Sequence, residues 1–463
     1  MTLRIVATVR EFSPRTRAVL AVNAVNSFGG GLVLPFLWIY LGQVRGLPSW
    51  VPAATLAVQA ATAVVGGLVW GAVLDRVAPR PVVTLVMCVA GAGTALYAVA
   101  VSAPAALTAA LVYGLGISGV GTVLRFLYAG AATARERGLA FSADYAVFNA
   151  MTGLGVLAGG LVAAGGPGSD AARFAALYLA DGATFLLAGL AFLVLLPRID
   201  DRAPKSPAQA GKDRSVTGYR EVLRRPVLTV LFATLALCSL VSYGQLRSGL
   251  PGYLTAHGAV GPEGLSGTFA VNIVVAVLTQ VLLGERIQRV RRSVVLSATG
   301  VLWAAAWLLV LAAGRQHGAP ATVTAMLGVL LLSVGEALVF PVLSGLLNDL
   351  AEERVRGRVN AMLSVAISAG SVAGPLLAGA TLPLAGGAVL IVALTGVCVA
   401  VVLVGTALRR TLPGAADLPA PEGDAVNQTD PAEAAAEAAG NAGTAVSTAV
   451  TDAADTAPAT PLS

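Results

Sequence analysis

Twelve long apolar runs limit what this chain can fold into more than any other feature of its sequence. A helix needs about 20 apolar residues to cross roughly 30 Å of hydrocarbon. The runs cover residues 18–43, 51–74, 82–103, 105–130, 139–164, 174–196, 227–255, 266–284, 294–314, 320–348, 359–381 and 385–408. Of the 463 residues, 56% are hydrophobic and only 12% are charged, a composition that excludes an ordinary soluble domain. We therefore predict an all-α membrane protein with twelve transmembrane helices, in which Asn272 and Gln280 interrupt the eighth run.

Basic residues are distributed unevenly over the loops between these runs. The side that carries both termini holds 25 of the 30 Lys and Arg residues, and the opposite side holds only Arg45, Arg173 and Arg315. Because cytoplasmic loops collect Lys and Arg, both termini are predicted to be cytoplasmic. Only two of the 30 are Lys, which is typical of a GC-rich bacterial source, so we expect the bacterial inner membrane.

The loops divide the chain into four regions. Residues 1–196 and 227–410 hold six runs each, and a polar cytoplasmic linker, 197–226, joins them. Residues 411–463 contain eight acidic residues, no Lys or Arg and no aromatic residue, which predicts a disordered acidic cytoplasmic tail.

The two six-run regions show signs of a repeat. Arg137-Gly138 precedes the fifth run as Arg356-Gly357 precedes the eleventh, and Leu34-Pro35 in the first run corresponds to Leu250-Pro251 in the seventh. Two repeated halves around a site near the bilayer midplane are typical of alternating-access transporters.

The segment after the second run resembles a signature of the major facilitator superfamily, Gly-x-x-x-Asp-Arg-x-Gly-Arg-Arg. The matching residues are Gly71, Asp75, Arg76 and Arg80, whereas Ala78 and Pro79 stand where the signature has Gly and Arg. The phrases Leu34-Pro35-Phe36, Gly335-Glu336 and Pro341 resemble the proton-coupled multidrug-efflux branch of that family. The resemblance covers residues 15–410 and implies the major facilitator fold, in which two six-helix bundles rock about a central cavity.

The resemblance also implies roles for two groups of residues. A latch that joins the halves on the cytoplasmic side would comprise Gly71, Asp75, Arg76, Arg80, Arg137 and Arg356. A helix-packing motif in the fifth and eleventh spans would comprise Gly155, Gly159, Gly160, Gly374, Pro375 and Gly379, since small residues four apart let helices approach closely in lipid. Val156 stands where antiporters of the family carry Pro. The alternative for the first group is a charged loop that only sets topology, and the alternative for the second group is ordinary helix packing.

Ionisable residues inside spans point to a functional site, because a charge in hydrocarbon is costly. We expect Glu336, in the tenth span, to bind and release the coupling proton and to favour cationic substrates, with Asp181 as the next candidate; a structural role for Glu336 is the alternative. The resemblance places spans one, four, seven and ten around the cavity. Further cavity candidates are Arg247, Asn26, Arg125 and Gln245, although Arg125 could extend only to the cytoplasmic surface and the amides could join helices.

Several other classes of function lack their residues. No P-loop motif is present, so ATP cannot drive transport directly through this chain, and His257 and His317 alone cannot form a zinc site. Nucleic-acid binding, enzymatic activity and a cofactor are not expected. The sequence predicts a monomeric secondary transporter that exports small, partly hydrophobic compounds, such as drugs or secondary metabolites, in exchange for protons. Proton-coupled uptake of a nutrient or metabolite, and a non-transporting membrane sensor on the same fold, are the alternatives.

Overall fold

The computed structural model describes residues 12–74, 77, 79–131, 137–165, 169–195, 222–287, 289–352, 355–412 and 417–418. Helices dominate this part of the chain, and they are numbered here by the span that each forms. They are α1a (Pro14–Val33), α1b (Leu37–Val44), α2 (Trp50–Leu74), α3 (Pro79–Ala98), α4 (Ala103–Ala131), α5 (Arg137–Gly165), α6 (Asp170–Leu195), α7a (Pro226–Gly244), α7b (Gly249–Ala256), α8 (Pro262–Ile287), α9 (Arg292–Ala313), α10 (Gly318–Asp349), α11 (Arg356–Thr381) and α12 (Ala388–Thr411).

The predicted twelve spans are confirmed within the described residues. Eleven helices are long and apolar enough to cross a membrane, and the bent pair α1a and α1b forms the twelfth. The eighth run is one continuous helix of 26 residues, so the polar side chain of Asn272 does not interrupt it. The linker, residues 197–226, lies largely outside the described residues, as does the tail after residue 418.

Helix starts follow the local sequence. The Ser13 hydroxyl accepts a hydrogen bond of 3.2 Å from the Thr16 amide, and Pro14, which lacks an amide hydrogen, occupies the first helical position of α1a. The backbone of Arg225 is extended, as is usual for a residue before proline, and α7a begins at Pro226.

The first and seventh spans are both broken. The axes of α1a and α1b differ by 42°, with the break at Leu34-Pro35-Phe36, and α1b ends in a π-helical turn, Tyr40–Val44. In the seventh span a π-helical turn, Leu240–Gly244, precedes a break at Arg247-Ser248. Discontinuous helices at corresponding positions of two repeated halves are the usual construction of a transporter's substrate site.

The halves contact each other through α2 with α11 and through α5 with α8. We call the end of the bundle with Pro14 and Thr411 the terminal side, and the opposite end, with Arg45, the loop side. On the loop side a Cβ atom added to Gly379 of α11 would lie 2.4 Å from the Cβ of Ala53 in α2. The helices that join the halves are therefore in direct contact on this side.

A short stretch of the predicted tail is anchored on the terminal side. Asp417, only 3% exposed, accepts hydrogen bonds of 2.8 Å from both the amide and the hydroxyl group of Ser293, in the first turn of α9. A carboxylate is favoured at this end of a helix, where amide groups lack partners. Asp417 belongs to the first residues of the region predicted to be a disordered acidic tail, most of which lies outside the described residues.

Candidate transport cavity

Glu336 lies near the middle of α10, where α7a and α8 meet it. Its carboxyl group is within hydrogen-bonding range of the Tyr243 hydroxyl on α7a and of the Asn272 amide on α8. The Asn272 amide also donates to the Ser333 hydroxyl, at 2.9 Å, one turn before Glu336 on α10. The carboxyl group is thus held by polar side chains from two other helices and has no salt bridge among the described residues.

An aromatic pair lies beside this carboxyl group. The ring of Tyr243 stacks on that of Phe340, one turn after Glu336, with centroids 4.6 Å apart. Tyr243 is 39% exposed although it belongs to a membrane-spanning helix. The pair offers a flat apolar surface next to a carboxyl group, which is the mixture that small-molecule sites present.

Tyr243 and Asn272 are site residues that the sequence analysis did not identify. Asn272 was noted only as an interruption of the eighth span. The sequence does contain one signal for Asn272: it is a polar residue near the middle of its helix, as Glu336 is in its own.

Arg247 occupies the break between α7a and α7b. Its side chain is exposed, and the following Ser248 has non-helical backbone angles (φ −125°, ψ −75°). Within the described part of the chain Arg247 forms no salt bridge, so it is not paired with Glu336. The group that it does interact with electrostatically is the phenol of Tyr113 on α4, which belongs to the other half.

The predicted polar cavity residues have different surroundings. Gln245 is fully buried, and its Nε2 donates a hydrogen bond of 3.0 Å to the Gly374 carbonyl, so it joins α7 to α11 rather than facing the cavity. Asn26 is buried in α1a, and within the described ranges its Oδ1 has no hydrogen-bond partner. The side chain of Arg125, in α4, is outside the described residues.

A further carboxylate lies inside the fifth span. Asp144 of α5 accepts a hydrogen bond of 2.6 Å from Nδ2 of Asn23 on α1a. This contact joins two helices of the N-terminal half in the part of the bundle nearer the terminal side.

The predicted latch is only partly described. Asp75 and Arg76 lie outside the described residues, as do the side chains of Arg137 and Arg356. The backbones of Gly71, Arg137 and Arg356 belong to α2, α5 and α11. Arg80 of α3 donates to the Leu193 carbonyl near the end of α6, within its own half.

The glycines of the predicted packing motif face two directions. Within the halves, Cβ atoms added to Gly155 and Gly159 would lie 2.1 and 2.4 Å from carbonyl oxygens of α1a, and one added to Gly374 would lie 2.6 Å from the Gly244 Cα of α7a. Between the halves, Gly160 packs against Ser266 of α8, and Gly379 packs against α2. Pro375 is buried inside α11.

Two six-helix halves with discontinuous first and seventh spans define a multi-pass membrane transporter. The sequence profile of the Major Facilitator Superfamily matches residues 19–284 and 260–449, and the chain belongs to this superfamily of secondary transporters, which are not enzymes.

Individual relatives agree with this assignment. An MFS-type transporter of Mycobacterium tuberculosis (strain H37Rv) is 28% identical over 348 residues, which cover 72% of this chain and 78% of that protein. Among solved structures, the nucleoside transporter NupG has a TM-score of 0.72 at 13% identity, covering 86% of this chain and 100% of NupG. A D-xylose–proton symporter has a TM-score of 0.62 at 16% identity, with coverages of 86% and 97%. At these identities the two structures show a shared fold.

Proposed function

We propose that this protein exports small, partly hydrophobic compounds from a bacterial cytoplasm in exchange for protons, as a monomer in the inner membrane. The terminal side would face the cytoplasm. The observation that carries the proposal is the position of Glu336, a carboxyl group at mid-depth between α7a, α8 and α10, beside an aromatic pair.

The surroundings of this carboxyl group support proton coupling. The hydroxyl of Tyr243 and the amide of Asn272 can donate to the ionised form, so both protonation states of Glu336 have partners. A group that is stable in both states can take up a proton on one side of the membrane and release it on the other.

Export fits the contacts between the halves. The loop side is closed where α11 meets α2 and α5 meets α8. If the terminal side is cytoplasmic, as the distribution of basic residues predicts, this is the conformation in which an exporter would load its substrate and an importer would release it. The aromatic pair would bind the hydrophobic part of that substrate.

Transport by inside-out vesicles tests the proposal. Vesicles that contain the wild-type protein should accumulate a lipophilic cationic dye such as ethidium when an inward-acidic proton gradient is imposed. Glu336→Gln, which removes the ionisable group and keeps the shape, should abolish the dependence on the gradient. Glu263→Gln, the same change in the first turn of α8 on the loop side, is the matched control and should transport as the wild type does.

The alternatives give different results in the same preparation. A proton-coupled importer would carry solute out of these vesicles together with the protons, rather than into them in exchange for protons. A membrane sensor would move no solute under any gradient. Gradient-driven transport that survives in Glu336→Gln would place the coupling proton on another residue.

A further inference from the structure

The N-terminal half contains a second carboxyl group, Asp181 of α6, that plays no part in the cluster around Glu336. Asp181 is 0% exposed. The Thr94 hydroxyl on α3 donates to its Oδ2 at 2.9 Å, whereas its Oδ1 has no hydrogen-bond partner among the described residues. In the described part of the chain no Arg or Lys forms a salt bridge with it. An ionised carboxylate here would lack both a cation and a full set of donors, which is costly in a membrane interior.

A cluster of tyrosines extends from Asp181 toward the loop side. Tyr178 lies one turn before Asp181 on α6, and its buried hydroxyl also lacks a hydrogen-bond partner in the part of the chain that the structure describes. The Tyr178 ring packs between those of Tyr40 and Tyr97, with centroid distances of 5.0 and 5.5 Å. Its phenol interacts electrostatically with both of these tyrosines and with Asp181.

The loop-side end of this cluster reaches a charged residue. Arg45 follows α1b and donates hydrogen bonds of 3.0 and 2.7 Å to the Tyr40 hydroxyl, which itself donates to the Ala98 carbonyl at 3.0 Å. Arg45 is only half-buried, so the cluster begins near the surface of the protein.

Tyr113 of α4 is a neighbour of both Asp181 and Arg247. The phenol of Tyr113 interacts electrostatically with both groups. Its ring packs edge-on against Phe185, one turn after Asp181 on α6, at a centroid distance of 6.4 Å. Tyr113 is half-buried, and Arg247 is exposed at the break in the seventh span.

From this arrangement we propose that Asp181 is a second proton-binding carboxyl group, which exchanges protons with the loop side through Tyr40 and Tyr178 and with the cavity past Tyr113. The inference rests on the proton coupling proposed above. The polar and titratable groups around Asp181 are Thr94 of α3, Tyr113 of α4, and Tyr178 and Thr184 of its own helix. Tyr40 of α1b and Tyr97 of α3 contact Tyr178 in turn.

The proton balance of this route is simple. The Tyr40 hydroxyl donates to the Ala98 carbonyl, and the Tyr178 hydroxyl has no partner among the described residues, so each transfer needs a water molecule as a bridge. A proton from water on the loop side reaches the Tyr40 oxygen as that hydroxyl passes its own proton to the bridging water, and Tyr178 relays a proton toward Asp181 in the same way. The carboxylate becomes a carboxylic acid, and no tyrosine is left charged. Release past Tyr113 to water in the cavity restores the carboxylate and moves one proton in total.

Infrared difference spectroscopy on the full chain in lipid vesicles tests the inference without a transported substrate. The carbonyl stretch of protonated carboxyl groups should decrease in two components as the pH is raised. Asp181→Asn should remove one component, and Glu336→Gln should remove the other while the Asp181 component remains. If Glu336→Gln removes a component and Asp181→Asn removes none, the result would support the proposed function and overturn this inference. If Asp181→Asn removes a component and Glu336→Gln removes none, the result would support this inference and contradict the proposed role of Glu336.

A second pair of variants tests the route and does not depend on Asp181→Asn folding. Tyr178→Phe keeps the ring in its stack and removes the hydroxyl, so the Asp181 component should respond more slowly after a pH jump on the loop side. Tyr253→Phe removes the hydroxyl of a tyrosine in α7b, outside the cluster, and should respond at the wild-type rate. Equal rates in Tyr178→Phe and the wild type would overturn the route through the tyrosines.

Discussion

The side-chain amide of Asn272 donates a hydrogen bond of 2.9 Å to the hydroxyl of Ser333, and so links α8 to α10 one turn before Glu336. The Ser333 hydroxyl is itself fixed, because it donates to the Val329 carbonyl at 2.7 Å. The amide that reaches Glu336 is therefore oriented by its second hydrogen bond. This contact gives the first prediction about coupling.

Replacing Asn272 with Leu should weaken proton coupling while leaving the fold intact. The variant removes one donor to Glu336 and one bond to Ser333, and a hydrogen bond of this kind contributes about 1 kcal/mol, or roughly a fivefold effect. Gradient-driven dye uptake by inside-out vesicles should show this loss. Ser333→Ala, which keeps the amide but frees its orientation, should lie between Asn272→Leu and the wild type, and the reverse order would contradict this account.

Two substitutions at Tyr243 should separate proton coupling from substrate binding. Tyr243→Phe keeps the stack on Phe340 and removes the hydrogen bond to Glu336, so dye binding should persist while its dependence on protons changes. Tyr243→Ala removes the ring as well, and an aromatic pair is worth about 0.5–1.5 kcal/mol beyond its buried area. Fluorescence titration of the purified protein measures binding in both variants. Equal loss of binding in the two would mean that the hydroxyl, rather than the ring, contacts the dye.

The sequence predicted the number of spans and their arrangement in halves because lipid imposes a length on every helix that crosses it. It could not predict the direction in which a polar side chain faces. In a membrane the lipid-facing surface is as apolar as the packed one, so the sequence lacks the amphipathic pattern that orients helices of soluble proteins. Gln245, predicted to face the cavity, contacts Gly374 instead, whereas Asn272, taken for an interruption, meets Glu336.

The packing glycines show the same limit. The spacing in the fifth and eleventh spans indicated close helix contacts, but not their partners. Gly155 faces α1a in its own half, and Gly160, only five residues later, faces α8 in the other. The partners depend on how the two halves are assembled, which no local pattern records.

Enlarging Gly379 should shift the protein away from the conformation that is closed on the loop side. A Cβ at this position would lie 2.4 Å from the Cβ of Ala53, closer than real side-chain contacts allow, so Gly379→Leu should separate α2 from α11 there. Distances between spin labels on the loop-side ends of these helices should increase. Gly396→Leu in α12, where an added Cβ has no neighbour within 4 Å, is the matched control and should leave the distances unchanged. An unchanged distance in Gly379→Leu would contradict the assignment of this contact to loop-side closure.

Breaking the contact between Asp417 and Ser293 should destabilise the C-terminal half without affecting the cavity. Asp417 satisfies an amide in the first turn of α9, and the loss of such a capping interaction costs about 0.5–2 kcal/mol. Asp417→Asn keeps a side-chain oxygen but loses the negative charge that the helix end favours, so its unfolding temperature should fall less than that of Asp417→Ala. Thermal unfolding of the purified protein in detergent measures both, with Asp430→Ala, farther along the same acidic region, as the control. Because Asp417 lies at the terminal end of α9, away from Glu336, vesicles with either variant should keep gradient-driven transport; its loss in a variant that remains folded would show that this contact also takes part in the transport cycle.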